Sequence, residues 1–219
     1  MFNPPTPYRD GGVALAAYLA QYHESRKGSL SLLHEKLLGA KDLKVLELGT
    51  GCGIVGLTLA ALRKDCQVLL TDLESAQEII QRNLEMCRTQ LQGKVTFQVF
   101  DWSDLEPPML CPDIILIADC TYNDCLAELV GAIERCVGGS TDTIIVLAHK
   151  RRHDSELAFF ELMAKRFEIA HHSDYNTASQ GRLDNQDVPI ENGVQGVDLY
   201  TFKLLESLGT GTGRGKILS

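Results

Sequence analysis

Val45-Leu46-Glu47-Leu48-Gly49-Thr50-Gly51-Cys52-Gly53 reads as a short apolar strand that reaches a carboxylate and then breaks into alternate glycines. Ile54 to Leu62 follows at once as a helix-forming run. Alternate glycines let the chain turn tightly and leave no Cβ to hold a ligand away. The helix behind them turns its free N–H groups into the same space. Strand, bare turn and helix start describe a small-molecule site at the carboxyl end of a first parallel strand. Gly51, Gly53 and Gly56 also satisfy the G-x-G-x-x-G of dinucleotide folds, and a glycine turn without any ligand satisfies it too. Glu47, two residues before the first glycine, weighs toward a ligand. Asp72, which closes the next strand Gln67–Thr71, stands about 20 residues downstream, where an acid suits ribose hydroxyls. A nucleoside fits either fold.

Upstream, residues 1–9 are proline-rich and extended, with neither the basic start nor the apolar core of a signal peptide. Asp10 to Glu24 carries apolar residues at helical spacing, and Leu30 to Leu38 reads as a second helix ended by Gly39; both should pack against the sheet. Downstream, a helix starting at Ser75, with Glu78 completing a capping box, runs to about Gln90. Val95–Phe100 is a strand. Asp113–Ala118 is apolar enough to be a central strand covered on both faces. Then come a helix Cys125–Cys136, a strand Thr143–Ala148, a helix from Asp154 to near Arg166 and a strand Phe167–His171. Ser173 to Gly196 is a long polar insertion, and Asp198–Leu205 is the last strand.

The expected architecture is α/β, a doubly wound, seven-stranded, mostly parallel Rossmann-like sheet with N-terminal helices. It occupies one domain over residues 1–207, with a flexible glycine-rich tail over 208–219. No helical pattern separates the last two strands, so they should pair antiparallel as a C-terminal hairpin. A dinucleotide dehydrogenase would instead continue with a second βαβ half.

At 219 residues and 44% hydrophobic, the chain can bury one sizeable core. No apolar window is long enough to span a bilayer, so no membrane partner is expected. A net charge of −8 argues against nucleic acid, whose phosphates call for clustered lysine and arginine. Seven cysteines without a C-x-x-C pair suit a reduced compartment, and the expected location is cytoplasmic. The expected state is a monomer.

Four strand-end motifs then stand in order: Glu47-Leu-Gly-Thr-Gly-Cys-Gly53, Thr71-Asp72-Leu73, Asp101-Trp102 and Ala118-Asp119-Cys120-Thr121-Tyr122. With them the chain resembles the seven-β-strand S-adenosylmethionine (SAM) methyltransferases, and more narrowly their methyltransferase-16 group of protein-lysine methyltransferases. Asp119 to Tyr122 matches that group's D-x-x-Y signature. His149-Lys-Arg-Arg152 leading to Phe159-Phe160 is similar, more loosely, to its fungal elongation-factor branch. The resemblance implies SAM as cofactor, no metal, and a protein substrate with an accessible lysine, a translation elongation factor among the candidates.

It also implies residue roles. Glu47, Gly49 and Gly51 would cradle the methionine and ribose part, with Thr50, Leu73 and Ala118 beside them. Asp72 would take the ribose hydroxyls, and Asp101 and Trp102 would flank the adenine. Asp119 would orient the incoming amine, and Tyr122 would hold its other side. Arg9 stands where relatives carry a tryptophan. A small-molecule methyltransferase of the same fold, a non-catalytic cofactor-binding protein and, more distantly, an NAD enzyme stay open.

Several polar features are set aside. Cys120 and Cys125 flank the expected site but read as small buried fillers. His149 and His153 lack a third metal ligand. Lys150-Arg151-Arg152 reads as a solvated turn or, alternatively, a contact to an acidic patch on a protein substrate.

Overall fold

Burial on both faces puts β4 (Ile114–Ala118) in the middle of the sheet, where Ile114 to Ile117 are wholly buried. The computed structural model describes residues 10–26, 28, 30–109, 111–121, 125–151, 157–172 and 196–205. In it β4 pairs in parallel with β1 (Leu43–Leu48) on one side and β5 (Ile144–Lys150) on the other. Beyond β1, β2 (Cys66–Asp72) and β3 (Lys94–Val99) continue the parallel sheet. Beyond β5, β7 (Val197–Leu204) and β6 (Phe167–His172) complete the order β3-β2-β1-β4-β5-β7-β6.

The sheet is thus the expected seven-stranded one, with β7 antiparallel to both neighbours. β7 takes the inner place because Val197, Leu199, Thr201 and Phe202 are buried, whereas β6 buries only Phe167 fully and can stand at the edge.

Alternation along the strands splits the core in two. Val45, Val68, Leu116 and Val146 pack with α1 (Asp10–Ser25), α2 (Ser31–Gly39), α3 (Ile54–Leu62) and Ile80 of α4 (Gln77–Cys87). Leu46, Ile115, Ile117 and Leu147 pack with α5 (Leu126–Val137) and α6 (Leu157–Met163). The N-terminal helices therefore cover a sheet face, as their apolar stripes require. From β1 the chain winds outward through β2 and β3, then returns to begin again at β4. β1 and β4 consequently leave a crevice at their carboxyl ends, the place where open α/β sheets bind ligands.

The expected capping box at Ser75 does not form. Ser75 lies inside a 3₁₀ turn, Glu74–Ala76, that runs straight into α4, whose N-cap position is Ala76 with no side-chain cap. The turn's own N-cap, Leu73, has no side-chain cap either, and its N–H donates to the Asp72 carboxylate just upstream. α4 also stops at Cys87, short of Gln90. The expectations for residues 1–9, Asp154, residues 173–195 and the 208–219 tail lie outside the described residues. No helix among the described residues is long and apolar enough to cross a membrane.

Gly56 shows how closely α3 is pressed to the sheet. A Cβ there would stand 2.4 Å from Leu70 Cδ2, 2.6 Å from Glu47 Oε2 and 2.9 Å from Val68 Cγ1. Gly56→Ala should therefore lower the urea midpoint, the overpacking cost of about 1–3 kcal/mol outweighing the helix-propensity gain of up to about 1 kcal/mol.

Candidate functional site

The glycine turn closes the end of β1 by stitching itself to β2. The Thr50 N–H donates to the Thr71 carbonyl at 3.0 Å, and the Thr71 hydroxyl donates to the Glu47 carbonyl at 2.7 Å. The Gly51 N–H donates to Asp72 Oδ2 at 2.7 Å, while Asp72 Oδ1 accepts from Leu73. Gly49 has φ of +63°, and a Cβ on it would lie 2.6 Å from Cys120 Sγ and 3.1 Å from the Trp102 ring. Both conformation and space demand glycine at that position.

This turn floors a cavity of about 470 Å³, within the roughly 300–1,000 Å³ typical of small-molecule sites. Every expected cofactor residue lines it: Glu47, Gly49, Thr50, Gly51 and Asp72, then Leu73, Asp101, Trp102 and Ala118. Two of these carboxylates are already partly occupied. Asp72 clamps the glycine turn, and Asp101 Oδ1 accepts from the Ser103 N–H at 2.9 Å and the Ser103 hydroxyl at 2.7 Å. Those bonds hold Asp101 below the usual carboxylate range. Trp102 is fixed from behind, its carbonyl accepting from Arg135 Nη2 at 2.5 Å.

Glu47 is buried beneath the turn, its Oε2 accepting the Gly56 N–H at 2.8 Å in the first turn of α3. Burial raises its pKa to about 7; the Gly56 bond opposes the rise and the nearby Asp72 charge adds to it. The charged side chains of the lining are Glu47, Asp72, Asp101 and Glu128, with no lysine or arginine among the described lining residues. Such a wall favours a cation and disfavours a pyrophosphate.

Several wall residues were not legible as such. Gly12 arrives from α1, more than 30 residues upstream of the turn, and nothing in its local pattern marks it. Glu128 and Cys125 come from the start of α5. Cys125 is exposed on the wall, so the buried-filler reading fails for it; Cys120 is buried as expected but also lines the cavity.

Asp119 does not line this cavity. It is buried with φ of +53°, and its Oδ2 accepts the Gly11 N–H at 2.6 Å from the first turn of α1. A helix N-terminus offers free donors and positive dipole, so the carboxylate suits that place. Lys150 is the last residue of β5 rather than part of a solvated turn, and its Nζ meets Asp10 Oδ2 at 2.6 Å. These two contacts tie the start of α1 to the ends of β4 and β5. Tyr122, Arg9, Arg152 and His153 lie outside the described residues.

With this geometry in place, comparisons agree with one another. A family model, Methyltransf_16, described as lysine methyltransferase, matches residues 9–166. The chain is 27% identical over 186 residues to protein-lysine N-methyltransferase EFM6 of Saccharomyces cerevisiae, covering 76% of this chain and 74% of that protein. It is 31% identical over 129 residues to a UPF0665 family protein of Schizosaccharomyces pombe, covering 58% of this chain and 39% of that one, so it spans about two fifths of that relative's length. Magnesium protoporphyrin IX methyltransferase from Synechocystis, solved with SAM bound, superposes with a TM-score of 0.55 at 13% identity, over 94% of this chain and 86% of that one. The structural likeness establishes the shared fold.

The Glu47 shift gives a stability signature. Its folded pKa lies above the unfolded value, so the stabilising contribution is complete below about pH 4.5 and is lost as pH rises through about 7. Without ligand, the wild type should be up to about 3 kcal/mol less stable at pH 8 than at pH 5 through this group. Glu47→Gln, which keeps an acceptor for Gly56, should flatten that dependence in urea unfolding.

Proposed function

The chain belongs to the Methyltransf_16 family of lysine methyltransferases, and from that premise we propose that it transfers a methyl group from SAM to a lysine side chain of a cytosolic protein. The observation that carries this reading is the acidic, glycine-floored cavity at the β1/β4 crevice. It fits the cofactor: Gly51 leaves open space for close approach while Gly49 turns the backbone beneath it, Glu47 meets positive charge, Asp72 can accept ribose hydroxyls with its remaining lone pairs, and Trp102 supplies an aromatic face beside Asp101. Bound there, SAM supplies an electrophilic methyl on a sulfonium and needs no metal.

The protein's own work is to bind, orient and desolvate. A lysine amine is protonated at its ordinary pKa of about 10.4 and cannot attack until it loses a proton. Removal from water favours the neutral amine, and the proton leaves to solvent before the methyl moves. In-line positioning of the amine then supplies several kcal/mol of the barrier reduction. Asp119, fixed under α1, serves as a stationary negative charge that draws the lysine in and holds the amine by hydrogen bond. Tyr122, three residues on, holds its other side, the ring face tolerating developing positive charge. A translation elongation factor is the first substrate to try, on the likeness of residues 149–152 and 159–160 to that branch.

Purified protein incubated with radiolabelled SAM and lysate from cells lacking it should label a protein band. Label in a small metabolite, or cofactor binding with no label, would refute the lysine reading. Asp119→Asn should abolish that label while calorimetry still detects SAM binding; retained turnover would remove Asp119 from the mechanism. Trp102→Ala should weaken SAM binding by about 1–3 kcal/mol, the usual worth of stacking a base on an aromatic ring.

A further inference from the structure

We propose that His149 is a positioning residue for the methyl-accepting loop, acting through the Thr121 hydroxyl; the inference rests on the transferase reading above. His149 stands next to the end of β5 and is only 3% exposed. Its Nδ1 lies 2.7 Å from Oγ1 of Thr121, a residue only 2% exposed, and the ring tautomer decides which atom donates. The bond reaches from β5 to the loop leaving β4, just past the last paired residues, Ala118 and Ala148. Thr121 is the residue between Cys120 and Tyr122 in Asp119-Cys-Thr-Tyr122.

That loop begins from an unfavourable backbone. Asp119 is non-glycine at φ +53°, a conformation that persists only where surroundings over-determine it. Gly11 holds the Asp119 carboxylate, and the Asp119 N–H donates to the Ala148 carbonyl at 3.1 Å. Cys120 Sγ rests against the Leu48 and Ala118 carbonyls. The Thr121–His149 bond carries the restraint one residue further, to the neighbour of Tyr122. The imidazole is a firm anchor, because Phe160 meets it edge-on at 5.5 Å and Tyr200 stands 6.4 Å away.

A buried polar pair adds little net stability over two apolar groups of the same shape, but it fixes direction. An apolar valine at 121 would fill the space and leave the loop's course unset. Misplacing a reacting partner by about 1 Å can cost on the order of a hundredfold in rate.

With the labelled protein as acceptor, Thr121→Val and His149→Ala should each lower kcat about ten- to a hundredfold while SAM affinity measured by calorimetry is maintained. The double variant should lose no more than the worse single, since both remove one interaction, and Thr121→Ser should recover the wild-type rate. An undiminished kcat in Thr121→Val, losses that multiply in the double, or SAM affinity falling in step with kcat would overturn the role. A second measurement does not need the acceptor: in SAM-saturated protein, amide hydrogen exchange at residues 120 and 121 should quicken in Thr121→Val, and unchanged exchange counts against the inference. A wild type that binds SAM yet labels nothing would refute the transferase reading instead, leaving the exchange measurement to decide on His149.

Discussion

The backbone of residues 49–53 can face a ligand only because β2 holds it there. Thr50 and Gly51 spend their N–H groups on the Thr71 carbonyl and the Asp72 carboxylate, so the turn is fixed before anything binds. Asp72 thereby unites two jobs: it ends β2 and clamps the turn, while its other oxygen accepts the Leu73 N–H. The cavity is pre-formed to the extent that these bonds are, and a pre-formed site loses less ordering entropy on binding.

Glu47 shows the cost of that arrangement. A carboxylate this deeply buried is pushed up to about 7, so at neutral pH it sits between its two charge states. The acidic lining disfavours the pyrophosphate that the G-x-G-x-x-G spacing would also admit. Charge, more than the glycine pattern, separates the two ligand classes here.

The ends of β4 and β5 follow a different rule. There the chain relies on contacts between distant segments: the Gly11 N–H on Asp119, Asp10 on Lys150, His149 on Thr121. α1 is thus more than a cover for the sheet, since the Gly11 N–H in its first turn donates to the buried carboxylate at the end of β4. Residues that look ordinary in sequence, a glycine pair and a threonine, acquire their roles from what the sheet brings beside them.

Periodicity and punctuation in the sequence determined the α/β alternation and the strand-end motifs, because each depends on local spacing: period two in strands, glycine where φ turns positive, acids at strand ends. The antiparallel pairing of the last strands was legible for the same reason, a missing crossover helix. The nine residues expected at the cofactor followed from the likeness of those motifs to a known family, and all nine line the cavity. Only the tertiary structure decided that β7 lies inside β6, that Gly12 and Glu128 join the wall, that Cys125 is exposed there, and that Asp119 is buried against α1. Those outcomes depend on contacts between segments more than 100 residues apart in the case of Gly11 and Asp119. Local pattern says what a residue can form; which partner it meets is set by how the strands are ordered and which helix lies across their ends.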